Sequence, residues 1–153
     1  MSDERQWYEE LVLPVLLVEG RKTYGRAIRD SFAAEGFDDI PRLGSRLLGG
    51  MLRFGGPPDD IAKDFGISKQ AASKLVDALV VRGYLVRGVD PDDRRRIKLA
   101  LTERGAAAAR ASWTATDRVD RELEQAVGAK AVAQLRETLG ALAALRVTES
   151  RTA

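Results

Sequence analysis

Four side chains suited to nucleic acid fall together just after Ser68. On a helix starting there, Lys69, Gln70, Ser73 and Lys74 share one face, while Ala72, Leu75 and Leu79 recur three and four apart on the other. Two ammonium groups can meet phosphates, and an amide and a hydroxyl can serve base edges. Further along, Asp90-Pro91-Asp92-Asp93-Arg94-Arg95-Arg96 forms a turn of acids and proline running into arginines. A basic tip of this kind can enter an adjacent minor groove, and Asp93 can hold one guanidinium by a bidentate pair. The alternatives are a solvated polar helix face and a solvated charged turn.

The inventory excludes other chemistries. The chain has no Cys and no His, which removes disulfides, thiol redox sensing, Cys/His zinc sites and Ser/His or Cys/His catalytic pairs. No phosphate-cradling glycine loop or pocket-like pair of carboxylates is present, so we expect no enzyme, no cofactor and no metal. The net charge of +2 over 153 residues is too small to imply a polyanion by itself. Its distribution says more: Ser68–Arg104 holds nine Lys or Arg against five acids, a local surplus of +4. The opening MSDERQWYEE lacks a basic n-region, and the apolar run Leu11–Val18 is too short for a bilayer. A cytoplasmic protein without membrane contact is the expectation.

The elements that position these residues follow from pattern and punctuation. Residues 4–36 read as helix interrupted near Pro14, with Leu11–Val18 apolar nearly all round and therefore in need of a second subunit or a core. Pro41 is a candidate first residue of the next helix, in which Leu43, Leu47, Met51 and Phe54 make one apolar stripe. Gly44, Gly49 and Gly50 in that helix suggest close packing on a neighbour, with a hinge as the alternative. Gly55-Gly56-Pro57-Pro58 breaks the chain, and Asp59 and Asp60 suit a helix N-terminus. A short helix then reaches Gly66, where a tight turn needs positive φ, and Ile61, Phe65 and Ile67 point inward. Ser68 caps the second helix and Arg82-Gly83 closes it. Asp77 lies near the basic face and is assigned to an internal ion pair. Residues 84–89 and 96–101 read as two strands, and in the second Ile97, Leu99 and Leu101 alternate with Arg96, Lys98 and Ala100. Thr102 caps an Ala-rich helix to about Val127, and Gly128 precedes a last helix with Val132, Leu135, Leu139 and Leu142 on one face.

Gly66-Ile67-Ser68, Arg82-Gly83-Tyr84-Leu85, and above all Asp93-Arg94-Arg95 followed by Leu99, Leu101-Thr102 and Gly105 resemble the winged-helix core of MarR-family transcriptional regulators. The likeness is good over roughly residues 43–105. It implies a homodimer on palindromic DNA, usually a repressor released by a small ligand, with Asp93 and Arg95 as the wing pair. Without Cys the chain cannot be one of the family's thiol peroxide sensors.

The expected fold is mainly α with a small β-hairpin wing: a winged helix-turn-helix flanked by N- and C-terminal dimerisation helices. The expected domains are 1–40 (N-terminal dimerisation), 41–104 (DNA binding), 105–147 (C-terminal dimerisation) and 148–153 (tail). The expected DNA-binding residues are Ser68, Lys69, Gln70, Ser73, Lys74, Asp93, Arg94, Arg95 and Arg96. Tyr24 and Trp113 are candidates for an effector pocket, with core packing the alternative for Trp113. The expected partners are double-stranded DNA, a second copy and a small-molecule effector. The alternative function is a winged-helix protein-interaction module without sequence-specific DNA binding.

Overall fold

The computed structural model describes residues 8–89 and 97–149. The elements run α1 (Leu13–Glu35), α2 (Gly44–Phe54), α3 (Ile61–Phe65), α4 (Lys69–Val81), β1 (Leu85–Val89), β2 (Ile97–Leu101), α5 (Glu103–Val127) and α6 (Ala129–Glu149). The strands form one antiparallel pair in which Leu85 faces Leu101 and Val89 faces Ile97. This is the expected mainly helical fold with a small hairpin. The chain divides into two compact units, up to Thr116 and from Asp117.

In the first unit, Leu47, Leu48 and Met51 of α2, Leu75, Val76 and Leu79 of α4, Tyr84 and Leu85 at the root of the hairpin, and Ala108, Ala109 and Ala111 of α5 form one buried cluster. The Ala-rich start of α5 explains how a helix comes so near the others: with little more than Cβ on its inner face, backbone meets core directly. Gly105 is the extreme of this. A Cβ there would lie 2.0 Å from the Tyr84 carbonyl oxygen, a backbone atom that cannot step aside.

The predicted α2 glycines divide by environment. A Cβ at Gly44 would strike Ile40 at 2.6 Å, and one at Gly49 would press on the Trp113 indole nitrogen at 3.1 Å, whereas Gly50 faces open space. Close packing is therefore the reason for two of the three.

Three local expectations are corrected. Pro14 does not interrupt a helix but sits in the first turn of α1, where the missing N–H costs nothing. Pro41 lies ahead of α2, its carbonyl accepting from Gly44 N at 2.7 Å. Phe54 leaves the apolar stripe and is 79% exposed. It is the last residue of α2, and Gly55 turns the chain away at φ 76 before the ring can reach the core. The guanidinium of Arg53 lies 5.9 Å from its ring centre instead.

The second unit holds the end of α5, a left-handed Gly128 (φ 87) and α6. Arg136 pairs with Asp120 at 3.0 Å. Val132 is buried, while Leu135, Leu139 and Leu142 stay exposed.

Two substitutions test this packing. Gly105→Ala is expected to cost about 3 kcal/mol, the upper end for overpacking, and to lower the thermal midpoint by roughly 10 °C. Gly50→Ala should instead stabilise by about 0.5–1 kcal/mol through helix propensity. Circular-dichroism melts of both variants check the pair.

Candidate nucleic-acid interface

The helix-turn-helix is built from caps. Asp60 accepts from Lys63 N at 3.0 Å to start α3, and Gly66 at φ 64 ends it. Ile67 N then donates to Ala62 O at 3.0 Å, turning the chain over the small, buried Ala62. Ser68 Oγ accepts from Ala71 N at 3.1 Å and starts α4. A feature the sequence did not suggest completes the turn: Arg46 of α2 donates to the Asp64 carbonyl at 2.9 Å. Its guanidinium lies 4.3 Å from the Phe65 ring centre, so charge and cation–π contact together hold the end of α3.

With Ala72, Leu75, Val76 and Leu79 buried, Lys69, Gln70, Ser73 and Lys74 are all exposed on α4. The structure therefore brings the four predicted α4 residues together on one solvent face, next to the capping Ser68. Among the described residues neither lysine has an acidic partner. Asp77 does pair internally, with Arg87 of β1. A groove of about 940 Å³ separates the two helices from the strands, walled by Pro58, Ile61, Lys69, Ser73, Arg87 and Lys98. Lys98 and Arg87 were not among the predicted site residues; their alternation on a strand was legible, but their approach to α4 is a tertiary fact. Asp93, Arg94, Arg95 and Arg96 lie outside the described residues.

The root of the hairpin is held from three sides. Gly83, at φ 75, lets Tyr84 N donate to Leu79 O at 2.9 Å, a Schellman closure of α4. Thr102 N donates to Tyr84 O at 3.1 Å, and Thr102 Oγ1 accepts from Gly105 N at 3.0 Å to start α5. The Tyr84 side chain is wholly buried, and its hydroxyl donates to Asp39 of the α1–α2 connection. Arg104 donates to that hydroxyl at 2.8 Å, to the Gly36 carbonyl at 3.2 Å and to Asp39 at 3.3 Å. Sequence reading missed Asp39 and Arg104, since their positions are 65 residues apart.

This network shifts protonation. The Tyr84 hydrogen bond, then Arg104, holds the Asp39 carboxyl below its usual value of 3.8. Burial, then the bond to Asp39, pushes the Tyr84 hydroxyl above 10.0.

A smaller cavity, about 410 Å³, opens between α1 and α2 against Ile28, Arg29, Phe32, Phe37, Arg42 and Ser45. Among the described residues neither Arg29 nor Arg42 has an acidic partner. Tyr24 is half-buried on α1 and Trp113 packs over Gly49; neither lines this cavity. Among the described residues no group of acids could hold a metal ion, and no helix is long and apolar enough to cross a membrane.

A capped two-helix unit with a hairpin after its second helix defines a winged-helix protein. Residues 38–96 match the family model described as MarR family. A crystal structure of MarR is similar over 94% of this chain and 97% of that one, at 20% identity and a TM-score of 0.74. MepR of S. aureus is similar both in its DNA complex (22% identity, 88% and 98% covered, TM-score 0.69) and bound to ethidium bromide (22%, 89% and 97%, TM-score 0.58). No curated protein matches by sequence at a significant level. At 20–22% identity these likenesses show that the chain has the fold of those structures, and within it residues 38–96 are similar to the MarR family model.

The sign of the pH dependence follows from the two shifts. Asp39, with its value lowered on folding, stabilises above 3.8 and loses that contribution as pH falls through the folded value. Tyr84, with its value raised, stabilises below 10.0 and loses its contribution as pH rises through the folded value. The gap in thermal midpoint between wild type and Asp39→Asn should therefore narrow below pH 3.8, and that between wild type and Tyr84→Phe above pH 10.0. Melts across this range check both limbs.

Proposed function

We propose that the chain is a homodimeric, sequence-specific DNA-binding regulator, acting as a repressor released by a small ligand. The observation that carries this is the α4 face: Lys69, Gln70, Ser73 and Lys74 exposed together on a helix whose start, turn and inner face are all fixed. Gln70 and Ser73 read base edges, and Lys69 and Lys74 meet phosphates. Asp93, Arg94, Arg95 and Arg96 carry the hairpin tip to the neighbouring groove, with Asp93 orienting Arg95. Two copies related by a two-fold axis place their recognition helices about one DNA turn apart, roughly 34 Å.

The dimer reading is supported by apolar side chains left outside the core: Val12, Leu13, Leu17 and Val18 at the start of α1, and Leu135, Leu139, Leu142 and Leu145 on α6. These belong to the flanking segments 1–40 and 105–147, which serve dimerisation, while 41–104 serves DNA. The effector reading is supported by the cavity between α1 and α2, which Arg29 and Arg42 line together with Phe32 and Phe37. Such a site suits a small organic anion with an apolar body. Tyr24 and Trp113 remain candidates for a second effector contact. A cytoplasmic location fits a protein that meets DNA.

Fluorescence anisotropy on DNA from upstream of the protein's own gene tests the reading. Lys69→Ala/Lys74→Ala should weaken binding on all sequences and reduce the slope of log K against log salt by about 1.8, or 0.9 for each phosphate no longer neutralised. Gln70→Ala should instead relax preference at one base position. An Arg95→Ala dimer that binds as tightly as wild type would remove the wing tip from the mechanism. Binding of the wild type that ignores sequence at moderate salt would favour the protein-interaction module.

A further inference from the structure

A two-stranded hairpin is marginal by itself, so the angle at which this one stands must be set at its root. Its tie to the middle of α4 is the Asp77–Arg87 pair, with both side chains about half exposed, and exposed pairs contribute little. The stronger constraint lies at Tyr84. That side chain is wholly buried, with its ring edge-on to Phe37 at 6.2 Å. A phenylalanine would fill the same volume, so packing alone does not account for the hydroxyl. What the hydroxyl adds is direction: it reaches Asp39 and receives Arg104. Arg104 in turn holds the Gly36 carbonyl at the end of α1, and its guanidinium sits 4.6 Å from the Tyr84 ring centre and 5.6 Å from that of Phe37. One guanidinium nitrogen, Arg104 Nη2, thus meets the end of α1, the α1–α2 connection and the residue that opens the hairpin.

We propose that Asp39, Tyr84 and Arg104 are positioning residues for DNA binding, a clamp that locks the α1–α2 connection to the hairpin root and so holds the wing at one angle to the recognition helix. The proposal rests on the DNA-binding reading above. Tyr84 is out of reach of DNA and Asp39 would repel phosphate. The clamp therefore acts through the wing, and movement of α1 reaches the wing through it.

The test uses the full-length protein and the variants Tyr84→Phe, Asp39→Asn, Tyr84→Phe/Asp39→Asn, Arg104→Lys and Arg104→Ala. Tyr84→Phe removes one oxygen and keeps the packed ring. Operator affinity should fall about five- to tenfold, the worth of a typical net hydrogen bond, while its salt slope stays at the wild-type value because every phosphate-facing cation is retained. Amide exchange in 85–89 and 97–101 should quicken without change at 75–79. The double variant should bind only slightly more weakly than either single one. Arg104→Lys, which keeps the charge and removes the guanidinium beside the Tyr84 and Phe37 rings, should fall between wild type and Arg104→Ala.

Wild-type affinity in Tyr84→Phe, or full additivity in the double variant, would overturn the clamp. So would exchange that quickens equally in α4, since that marks general loosening. Should the wild type bind DNA without regard to sequence, the DNA reading fails. The exchange comparison, made without DNA, then still decides whether the clamp holds the hairpin.

Discussion

Most of what fixes helix α4 against the hairpin passes through Tyr84. Its N–H closes α4 on the Leu79 carbonyl, its own carbonyl takes Thr102 N, and its hydroxyl joins Asp39 and Arg104. The first ends α4, the second joins the hairpin root to the residue before α5, and the third reaches the α1–α2 connection and the first turn of α5. Helix α4, both strands and α5 are thus referred to a single residue, and their mutual geometry carries little slack. The requirement for glycine at 105 follows from the same point. Helix α5 must start against the Tyr84 carbonyl, and any side chain would hold it off. Filling that backbone clearance would disturb the whole hairpin root, whereas a substitution at the exposed end of β1 would disturb one neighbour.

The division of cations follows a related logic. Arg46, Arg87 and Arg104 hold carbonyls, rings or carboxylates within the fold. Arginine suits that work because its planar fork satisfies several acceptors at once. Lys69 and Lys74, by contrast, have no acidic partner among the described residues and project from α4 into solvent. Lysine is a flexible, strongly hydrated point charge, suited to the solvent-facing positions these two occupy. The small net charge of +2 therefore says little about the α4 face, where the nearby Asp77 is taken up by Arg87.

The same contrast explains what was legible beforehand. Caps and turns are local, so Ser68, Gly66, Gly83 and Thr102 announced the ends of α3, α4 and α5 within a residue. The alternation in 97–101 announced a strand, and Asp77 announced an ion pair though not its partner. Burial on α4 followed from spacing alone. What could not be read was contact between distant segments. Nothing near Asp39 marks it as the partner of Tyr84, and Arg104 beside Glu103 looks like an ordinary first-turn residue. Phe54 failed for a related reason: periodicity assigns a face, but only the path of the chain after Gly55 decides whether the core extends that far.

The second unit has almost no core of its own. Among its described residues only Val132 is buried, and Leu135, Leu139 and Leu142 repeat at intervals of four and three along one exposed face of α6. A helix pair that hides one valine cannot offset its own conformational entropy. Such a leucine seam is stable when another apolar helix covers it, and under the proposed dimer the matching seam of a second copy does so. Within one chain, by contrast, the tie from the end of α1 to the hairpin root runs wholly through the first unit, by way of Arg104, Asp39 and Tyr84.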